Sequence, residues 1–504
     1  MDFHFDLNFT EESSSLPSTI SLLFFSFTFI FSIFSLSLYI LRLRPWCNCD
    51  LCRSYLSSAW SESFPNLSDW YADLLRRSPS ATIHLHVLSN LVTANPDNVE
   101  HILSSNFQNY PKGQPFSSLL GDLLGHGIFN VDGDTWRFQR KMASLELGSV
   151  AVRSHAFEIV WAQIRTRLIP VMSAAAMATA VDLQDVFRRF SFDVICRFSF
   201  GVDPGCLRLS MPVSEFAVAF DVASRVSAER AMGTWPVMWR IKRALNLGSE
   251  RRLKEAIKIV NGLAEEVIRH RRQIGFSGRN DLLSRFMAST HDDRYLRDIV
   301  VSFLLAGRDT VASALTSFFW LLAQHPEVEA KILSESDRVM GPDRDAAASF
   351  ENLRDMHYLH AAVYENMRLF PPVQFDSKFA VDDDVLPDGT FVHKGTRVTY
   401  HPYAMGRMDR IWGPDCLRFN PDRWLNNGCF SPENPFKFPV FQAGLRVCLG
   451  KELAVMDIKS VAVALVRKFQ IRLDKPDRVA RFAPGLTASW RGGLPVRIQE
   501  RTPN

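Results

Sequence analysis

The stretch "FPVFQAGLRVCLGKE", residues 438–452, sets one cysteine in an unusual frame of residues. Gly444 and Arg446 precede Cys448 by four and two positions, and Gly450 follows it by two. Glycines let a backbone approach another group closely, and an arginine can bind the carboxylates of that group. A disulfide-bonded cysteine needs none of these neighbours. The pattern indicates that the Cys448 sulfur is a ligand.

Glycines beside a ligand residue are found in two kinds of site, phosphate-binding loops and metal centres. A phosphate-binding loop is excluded, because five residues rather than four separate Gly444 from Gly450, and Glu452 stands where Ser or Thr would bind magnesium. A thiolate metal ligand fits better, because backbone N–H groups can donate to its sulfur and tune the metal. Phe441, seven residues before Cys448, can cover the thiolate and exclude water.

The composition is that of a globular protein with a large core. The chain has 504 residues, of which 47% are hydrophobic and 22% charged. A net charge of +4 gives no concentrated basic face, so no nucleic-acid partner is expected. Eight cysteines at irregular spacings in a chain of this length exclude a secreted disulfide framework.

Residues 20–41, "ISLLFFSFTFIFSIFSLSLYIL", carry no charge and are long enough to cross a bilayer as one helix. Arg42 and Arg44 follow at once, which predicts a cytosolic C-terminal side. A cleaved signal peptide is the second interpretation, but the apolar run is too long and lacks a positive start. We therefore predict a short lumenal tail (1–19), a membrane anchor (20–41), a juxtamembrane linker (42–70) and the remaining chain in the reducing cytosol.

Three cysteines, Cys47, Cys49 and Cys52, cluster just after the anchor. A structural zinc site usually has four ligands in two separated pairs, and no second pair at suitable spacing follows. Incidental thiols in a linker are therefore the favoured interpretation, with zinc as the alternative. His84 and His86 alternate in "TIHLHV", which predicts a strand with both imidazoles on one face.

The body of the chain is predicted to be mainly α with small β-sheets. The stretch Tyr295–Gln324 is apolar nearly all round and predicts a buried central helix that ends at His325-Pro326. Further helical patterns are "DTWRFQRKMASLEL", "EVEAKILSESDRVM", "YLHAAVYENMRLF" and "KELAVMDIKSVAVALVRKF"; "ATIHLHVL" and "TRVTYH" predict strands, and "MGPDRDAAASFEN" a polar loop.

The sequence "AGRDT", Ala306 to Thr310, interrupts this central helix with unfavourable residues. Glycine costs about 1 kcal/mol in a helix interior, and a buried Asp309 is costly unless it is paired. Thr310 can turn its hydroxyl onto the carbonyl of Ala306 and open the helix. Two interpretations stay open, namely a tolerated kink with a salt bridge and a proton-delivery site above a group bound in the core.

Five motifs in order along the chain resemble those of the cytochrome P450 family. "FQAGLRVCLG" resembles its haem-binding signature and "AGRDT" its oxygen-activation motif. "ENMR", "FNPDRW" and "WRFQR" resemble its Glu-x-x-Arg pair, the segment that supplies a further arginine, and a helix that contacts a haem propionate. Asp422 replaces a usual Glu, and Leu445 stands where many relatives have Pro.

The resemblance implies a P450 fold over residues 71–504, haem b as cofactor, and Cys448 as the axial ligand of the haem iron. Thr310 and Asp309 would deliver protons. Glu365 and Arg368, on one helix face, would join Arg423 in a structural cluster that holds the haem loop. The other implied cofactor-binding residues are Arg446, Phe441, Gly444, Gly450, Trp136, Arg140 and Lys378.

The resemblance also implies a monooxygenase that uses O2 and NADPH-derived electrons. Because no flavin or nicotinamide domain is visible in the sequence, the electrons would come from NADPH–cytochrome P450 reductase in the endoplasmic reticulum membrane. The protein would be a single-pass monomer. A haem-thiolate isomerase or dehydratase and a non-catalytic binding protein remain alternatives, although the intact acid–alcohol pair favours the oxygenase.

For the substrate, the resemblance is to plant enzymes that oxidise the terminal carbon of fatty acids. It rests on "ANPDNVEHIL", "NYPKG", "DGDTWRFQRKMASLEL", "LRDIVVSFLLAGRDT", "RLFPPVQFDSKFA" and "HPYAMGRMDRIWGPD". The most similar branch oxidises 12-hydroxy-jasmonoyl-isoleucine to the 12-carboxy form, which inactivates the jasmonate hormone; fatty-acid ω-hydroxylation is the alternative. A small amphiphilic carboxylate is thus expected. The candidate channel residues are Phe216, Phe220, Leu305, Ala306, Val373, Phe375 and Leu486.

Overall fold

The structure is a computed structural model that describes residues 26–33, 47–177, 180–208, 214–233, 235–276 and 281–501. Helices dominate these residues and the sheets are small, as the sequence predicts. The α-helices after residue 47 are α1 Asp50–Ser57, α2 Trp60–Ser63, α3 Leu67–Arg77, α4 Pro96–Glu100, α5 Gly113–Leu124, α6 Gly133–Leu147, α7 Val150–Gln163, α8 Ile169–Ala176, α9 Leu183–Phe200, α10 Glu215–Met232, α11 Pro236–Ala244, α12 Gly248–Ile274, α13 Leu282–Ser289, α14 Asp293–Leu304, α15 Thr310–Gln324, α16 Pro326–Met340, α17 Phe350–Asp355, α18 His357–Leu369, α19 Pro402–Met405, α20 Asp409–Trp412 and α21 Lys451–Lys468.

The strands form one larger sheet and several short pairings. The strands are β1 Thr82–Leu85, β2 Asn90–Thr93, β3 Val181–Asp182, β4 Asp376–Phe379, β5 Asp384–Val385, β6 Phe391–Val392, β7 Arg397–Tyr400, β8 Leu425–Asn426, β9 Cys429–Phe430, β10 Phe469–Leu473, β11 Phe482–Ala483, β12 Ser489–Trp490 and β13 Pro495–Glu500. The four-stranded sheet has the order β1-β2-β7-β4, in which β2 and β7 are parallel and the other pairs antiparallel. A three-stranded sheet has the order β10-β13-β3.

The central helix lies in the core, as its apolar sequence predicts. It consists of α14, a π-helical turn at Leu305–Asp309, and α15, whose side chains Leu315 and Phe318 are fully buried. It packs with α18, α21 and α9, all of which bury apolar faces. The four further helical patterns of the sequence correspond to α6, α16, α18 and α21. The polar loop falls between α16 and α17.

The strand predicted over 81–88 is shorter than expected. β1 ends at Leu85, and His86–Leu88 form a 3-10 turn, because the chain reverses through Ser89 (φ 45°) into β2. His84 and His86 are therefore not on one strand face, although their rings lie 4.2 Å apart. The strand predicted around 396–401 corresponds to β7.

The N-terminal segments are described in part. Within the anchor predicted at 20–41, residues 26–33 are helical with exposed apolar side chains, and the other residues lie outside the described part. One helix among the described residues, Asp293–Gln324, is long and apolar enough to span a membrane, but it is the central core helix, largely buried. Within the segment assigned to a linker, α1, α2 and the start of α3 are helical, and Cys52 is fully buried.

Candidate active site

The loop before α21 contains two tight turns, Pro439–Phe441 and Gly444–Arg446, and Cys448 follows the second of them. The Cys448 N–H donates to the Phe441 carbonyl at 2.8 Å, which fixes the cysteine backbone. Gly444 has φ +59°, and a Cβ there would lie 2.1 Å from the carbonyl oxygen of Leu103. Only glycine fits this close approach, which explains one of the two glycines in the motif.

The sulfur of Cys448 also receives a backbone donor, as the sequence suggests. The Gly450 N–H donates to Sγ, and a Cβ at Gly450 would lie 3.8 Å from that sulfur. Although the residue as a whole is exposed, desolvation raises the pKa of the Cys448 thiol, and the Gly450 amide, Arg140 and Lys451 offset this rise only in part. The donors surrounding the sulfur are therefore those that stabilise a thiolate.

Two arginines, Arg446 within the loop and Arg140 on α6, place their guanidinium groups at the cysteine loop. Arg446 Nη2 donates to the Val131 carbonyl at 3.0 Å and contacts Asp132 Oδ1 at 2.5 Å, and its Cζ lies 4.6 Å from the ring centroid of Trp136. Arg140, on α6, donates to the Val447 carbonyl at 2.8 Å. The structure thus brings Trp136, Arg140 and Arg446 together beside the cysteine loop.

Lys378 lies on β4, where it is buried rather than exposed. Its Nζ is 3.2 Å from Asp376 Oδ2, and burial lowers the pKa of Lys378 well below its ordinary value. Burial raises the pKa of Asp376, but attraction to Lys112 and Lys378 and the hydrogen bonds from Lys112 and Tyr400 outweigh it, so the net shift is downward. The amino groups of Lys112 and Lys378 thus both contact the one buried carboxylate of Asp376.

Sequence reasoning missed Lys112 and Asp376. Lys112 Nζ forms an ion pair with Asp376 Oδ1 from a position 264 residues away. Asp376 could have been found, because it alternates with Lys378 along a strand and alternate residues share a face. Nothing in the sequence indicates Lys112.

The described residues fit a haem with a thiolate ligand. Cys448 supplies the sulfur donor, and Gly444 and Gly450 permit close backbone approach. The Nε atom of Arg446 is buried and has no hydrogen-bond partner among the described residues. Together with Arg140 and the lysine pair, it offers donors for the haem propionates.

The π-helical turn of the central helix lies at the predicted opening. The Thr310 hydroxyl donates to the Ala306 carbonyl at 2.5 Å, the contact that the sequence predicts. A Cβ at Gly307 would lie 2.4 Å from Ile195 Cδ1, so glycine allows α9 to pack against this turn. π-turns inside α-helices are frequent at functional sites.

Asp309 is buried and paired. Arg308 Nη1 lies 2.8 Å from Asp309 Oδ1 and 3.0 Å from Asp221 Oδ1 on α10. Burial raises the pKa of Asp309, while attraction to Arg308 opposes that shift. The salt bridge of the first interpretation is therefore present. A proton-carrying role remains open, because the raised pKa favours protonation next to the Thr310 hydroxyl.

Glu365, Arg368 and Arg423 form one cluster, as the motifs suggest. Arg368 Nε and Nη2 bind the two oxygens of Glu365 at 2.7 and 2.8 Å, and Arg423 Nε lies 3.1 Å from Oε1. Trp424 Nε1 donates to the other oxygen at 2.9 Å. Glu365 and Arg368 are completely buried. The cluster thus connects α18 to the segment preceding the cysteine loop. Asp422, the departure from the family pattern, faces Lys331 outside this cluster.

The candidate channel residues divide into two groups. Phe216, Phe220 and Leu305 belong to one apolar cluster, in which the Phe216 and Phe220 ring centroids are 5.5 Å apart, and the partly buried Leu486 packs against it. Ala306 is next to Leu305 and is partly exposed. Val373 and Phe375 lie between α18 and β4, outside that cluster, and Phe375 contacts the His401 ring at 5.7 Å.

Comparison with known proteins agrees with this geometry. A family model described as "Cytochrome P450" matches residues 71–488. Cytochrome P450 94C1 of Arabidopsis thaliana is 62% identical over 486 residues, which cover 95% of this chain and 98% of the relative. Cytochrome P450 94B1 of Arabidopsis thaliana is 49% identical (86% and 88% covered), and cytochrome P450 94A2 of Vicia sativa is 42% identical (90% and 92% covered).

A solved structure titled "Crystal structure of cytochrome P450DA heme domain" superposes with a TM-score of 0.73 at 21% identity, covering 86% of this chain and 92% of that one. That similarity supports the fold.

The chain therefore belongs to the cytochrome P450 family. It is a haem-dependent monooxygenase that uses O2 and NADPH-derived electrons, and its P450 94 relatives match it along nearly its whole length. The haem, when bound, supplies oxygen activation and the insertion of one oxygen atom into substrate. Cys448 would supply the thiolate that holds the haem iron, and a thiolate ligand would favour oxygen activation there. Asp309, whose pKa is raised by burial, and Thr310, whose hydroxyl donates to the Ala306 carbonyl, lie at the π-helical turn of the central helix.

Proposed function

We propose that this enzyme oxidises the ω-carbon of jasmonoyl-isoleucine conjugates, converting 12-hydroxy-jasmonoyl-isoleucine to 12-carboxy-jasmonoyl-isoleucine and so inactivating the hormone. The resemblance of six sequence segments to plant enzymes of this branch carries the proposal. The 62% identity to cytochrome P450 94C1 across nearly the full chain is consistent with it.

The apolar cluster supports attack at a chain end. Phe216, Phe220 and Leu305 are largely buried and provide no hydrogen-bonding side chain, so a polar head group is better accommodated away from them. Attack at the ω-carbon requires a narrow apolar passage that presents the chain end and keeps a carboxylate distant. Successive oxidation of one carbon, from alcohol through aldehyde to acid, requires only that each product stays or rebinds in the same orientation.

Fatty-acid ω-hydroxylation is the second candidate. The same apolar cluster favours it, because an unbranched acyl chain needs no partner for an amide group. The two candidates differ in whether an amide-linked amino acid is recognised outside the cluster.

We further propose that the protein is a single-pass protein of the endoplasmic reticulum membrane with a cytosolic catalytic domain, and that NADPH–cytochrome P450 reductase supplies its electrons. The uncharged stretch 20–41 supports the anchor. Trp235, Met238 and Ile241, at and in α11, expose large apolar side chains. The Tyr55 hydroxyl of α1 donates to the Met232 carbonyl at 2.7 Å, which brings the segment after the anchor next to the start of α11.

The deciding experiment expresses the full chain with a reductase and offers microsomes 12-hydroxy-jasmonoyl-isoleucine, jasmonoyl-isoleucine and laurate, each with NADPH. Mass spectrometry of the products should show the 12-carboxy conjugate as the main product, and Cys448→Ser microsomes serve as the inactive control. Efficient laurate turnover without oxidation of either conjugate would overturn the proposal. Protease protection of sealed microsomes tests the topology, because a cytosolic catalytic domain is digested without detergent.

A further inference from the structure

Three thiols converge where α1 begins. The Sγ atoms of Cys47, Cys49 and Cys52 all lie within 4.8 Å of one another, and those of Cys47 and Cys49 are 3.5 Å apart. A tetrahedral zinc ion with Zn–S bonds of about 2.3 Å holds two thiolates about 3.8 Å apart. Each sulfur pair is therefore within about 1 Å of the separation that one zinc ion imposes.

We propose that Cys47, Cys49 and Cys52 bind one zinc ion as three thiolates, with a water molecule or a non-cysteine side chain as the fourth ligand. From the sequence alone, incidental thiols are the favoured interpretation, because no second cysteine pair follows at a suitable spacing. The convergence of the three sulfurs in the structure favours a zinc site instead, because three protein ligands and one further position suffice for zinc. Binding breaks three S–H bonds, forms three Zn–S bonds and releases three protons to solvent, and no electron is transferred.

One of the three ligands is held by the folded body. Cys52 is fully buried in a cluster that also contains Trp70 and Leu85, and its sulfur accepts a hydrogen bond from the Val87 backbone N–H. Outer donors of this kind orient metal ligands and tune them. Cys49 is the N-cap residue of α1, and its side chain makes no cap hydrogen bond there. Its sulfur is directed at the other two thiols instead.

The sulfur ligands determine which metal ions this site can bind. Thiolates select zinc or cuprous ions over magnesium and calcium, which prefer oxygen. Disulfide formation would use only two of the three sulfurs and is disfavoured in the reducing compartment proposed for this domain. A bound zinc ion would connect the chain just before α1 to the folded domain around Trp70 and Val87. This connection would fix the direction in which the chain enters that domain.

The test uses the full chain, purified from membranes in detergent with a tag that contains no histidine, and reconstituted with zinc alone. After removal of loosely bound metal, elemental analysis should find about one zinc per chain, and zinc-edge X-ray absorption should show three sulfurs at about 2.3 Å. Cys49→Ser, an exposed position, should lower zinc affinity by at least the roughly 10- to 100-fold that loss of an outer-shell partner costs. Cys429→Ser, an exposed cysteine elsewhere, is the matched control and should retain the metal.

Haem content of each variant, read from its absorbance, separates loss of zinc from loss of folding. Equal zinc in wild type and Cys49→Ser would mean an adventitious ion only and would overturn the proposal. So would zinc binding weaker than micromolar in a competition assay. Mass spectrometry after alkylation that found a disulfide among the three cysteines, or a thioester-linked acyl chain on Cys47 or Cys49, would overturn it as well.

Discussion

Arg308 and Asp309, consecutive residues of the central helix, form a buried ion pair in which Nη1 and Oδ1 are 2.8 Å apart. The same guanidinium also binds Asp221 on α10 at 3.0 Å, so one arginine shares its charge between two carboxylates. Burial raises the pKa of Asp309 despite this pairing. A raised pKa lets Asp309 take up a proton more readily than an ordinary carboxyl does, and we propose that Asp309 and Thr310 both take part in proton delivery.

Replacement Asp309→Asn removes the proton carrier while keeping the shape of the side chain. We expect product formation to fall roughly 100-fold, within the range typical of general acid–base catalysis, with haem content unchanged. Turnover and the solvent deuterium isotope effect are measured together. Asp221→Asn is the matched control, since it breaks the other half of the arginine pairing. An equal loss in both variants would indicate that Asp309 acts only through the ion pair.

Replacement Thr310→Ala removes the hydroxyl that donates to Ala306. We expect the variant to bind haem and consume NADPH, but to release more of the electrons as hydrogen peroxide, because proton delivery becomes misdirected. Product and peroxide per NADPH are the measured ratios. Thr310→Ser keeps the hydroxyl and should stay near wild type. If Thr310→Ala couples NADPH to product as well as the serine variant does, the relay assignment is wrong.

Replacement Cys448→Ser substitutes a neutral hydroxyl for the thiolate. Because a hydroxyl cannot supply thiolate electron density, we expect oxygenase activity to be abolished and the red-shifted Soret band of the reduced carbon-monoxide complex to disappear. The exposed cysteine variant Cys429→Ser provides the spectral reference. A red-shifted band that persists in Cys448→Ser would contradict the ligand assignment.

Local sequence patterns predict the central helix, four further helices and the principal motifs, but not long helices such as α9 and α12. The central helix, its opening at Ala306 and the contact from Thr310 follow from residues within one turn of each other. The Glu365 cluster is predictable in part, because Glu365 and Arg368 share a helix face, whereas the position of Arg423 relies on the family resemblance.

Contacts between distant segments cannot be read from periodicity. Lys112 reaches Asp376 across 264 residues, and Asp221 reaches Arg308 across 87. Both pairings depend on how helices and sheets pack. The strand predicted over 81–88 was too long for a similar reason. Its last residues, His86–Leu88, form the turn that lets β1 pair with β2.

Replacement Arg368→Ala leaves the carboxylate of Glu365 buried with one fewer partner. Breaking a buried ion pair costs about 3–5 kcal/mol, and Arg368 also donates to the Cys416 carbonyl at 2.6 Å and the Arg418 carbonyl at 3.0 Å. We expect loss of haem incorporation, measured as haem per chain. Arg368→Lys should not rescue it, because a lysine cannot bind both carboxylate oxygens and these carbonyls at once. Stable holoprotein from Arg368→Ala would refute the structural role.

The buried His401 should make the folded protein less stable in acid. Its Nδ1 accepts the Ala404 N–H at 3.2 Å, and burial lowers the pKa of His401 to about 3. Because the unfolded chain takes up the proton near pH 6.5 and the folded protein does not, this residue's contribution to stability is complete above that pH and is lost as pH falls towards 3. By pH 5 the loss should be about 2 kcal/mol.

Replacement His401→Asn keeps an acceptor for the Ala404 N–H but cannot take up a proton. The variant loses ring packing at every pH, so it should be less stable than wild type at pH 7.5, and the difference should shrink by about 2 kcal/mol by pH 5. Urea unfolding of the haem-bound protein in detergent, followed by tryptophan fluorescence, gives the free energies of unfolding. The exposed His393→Asn variant is the control and should follow the wild-type pH slope. Parallel pH slopes for wild type and His401→Asn would show that His401 does not stay neutral in the folded protein.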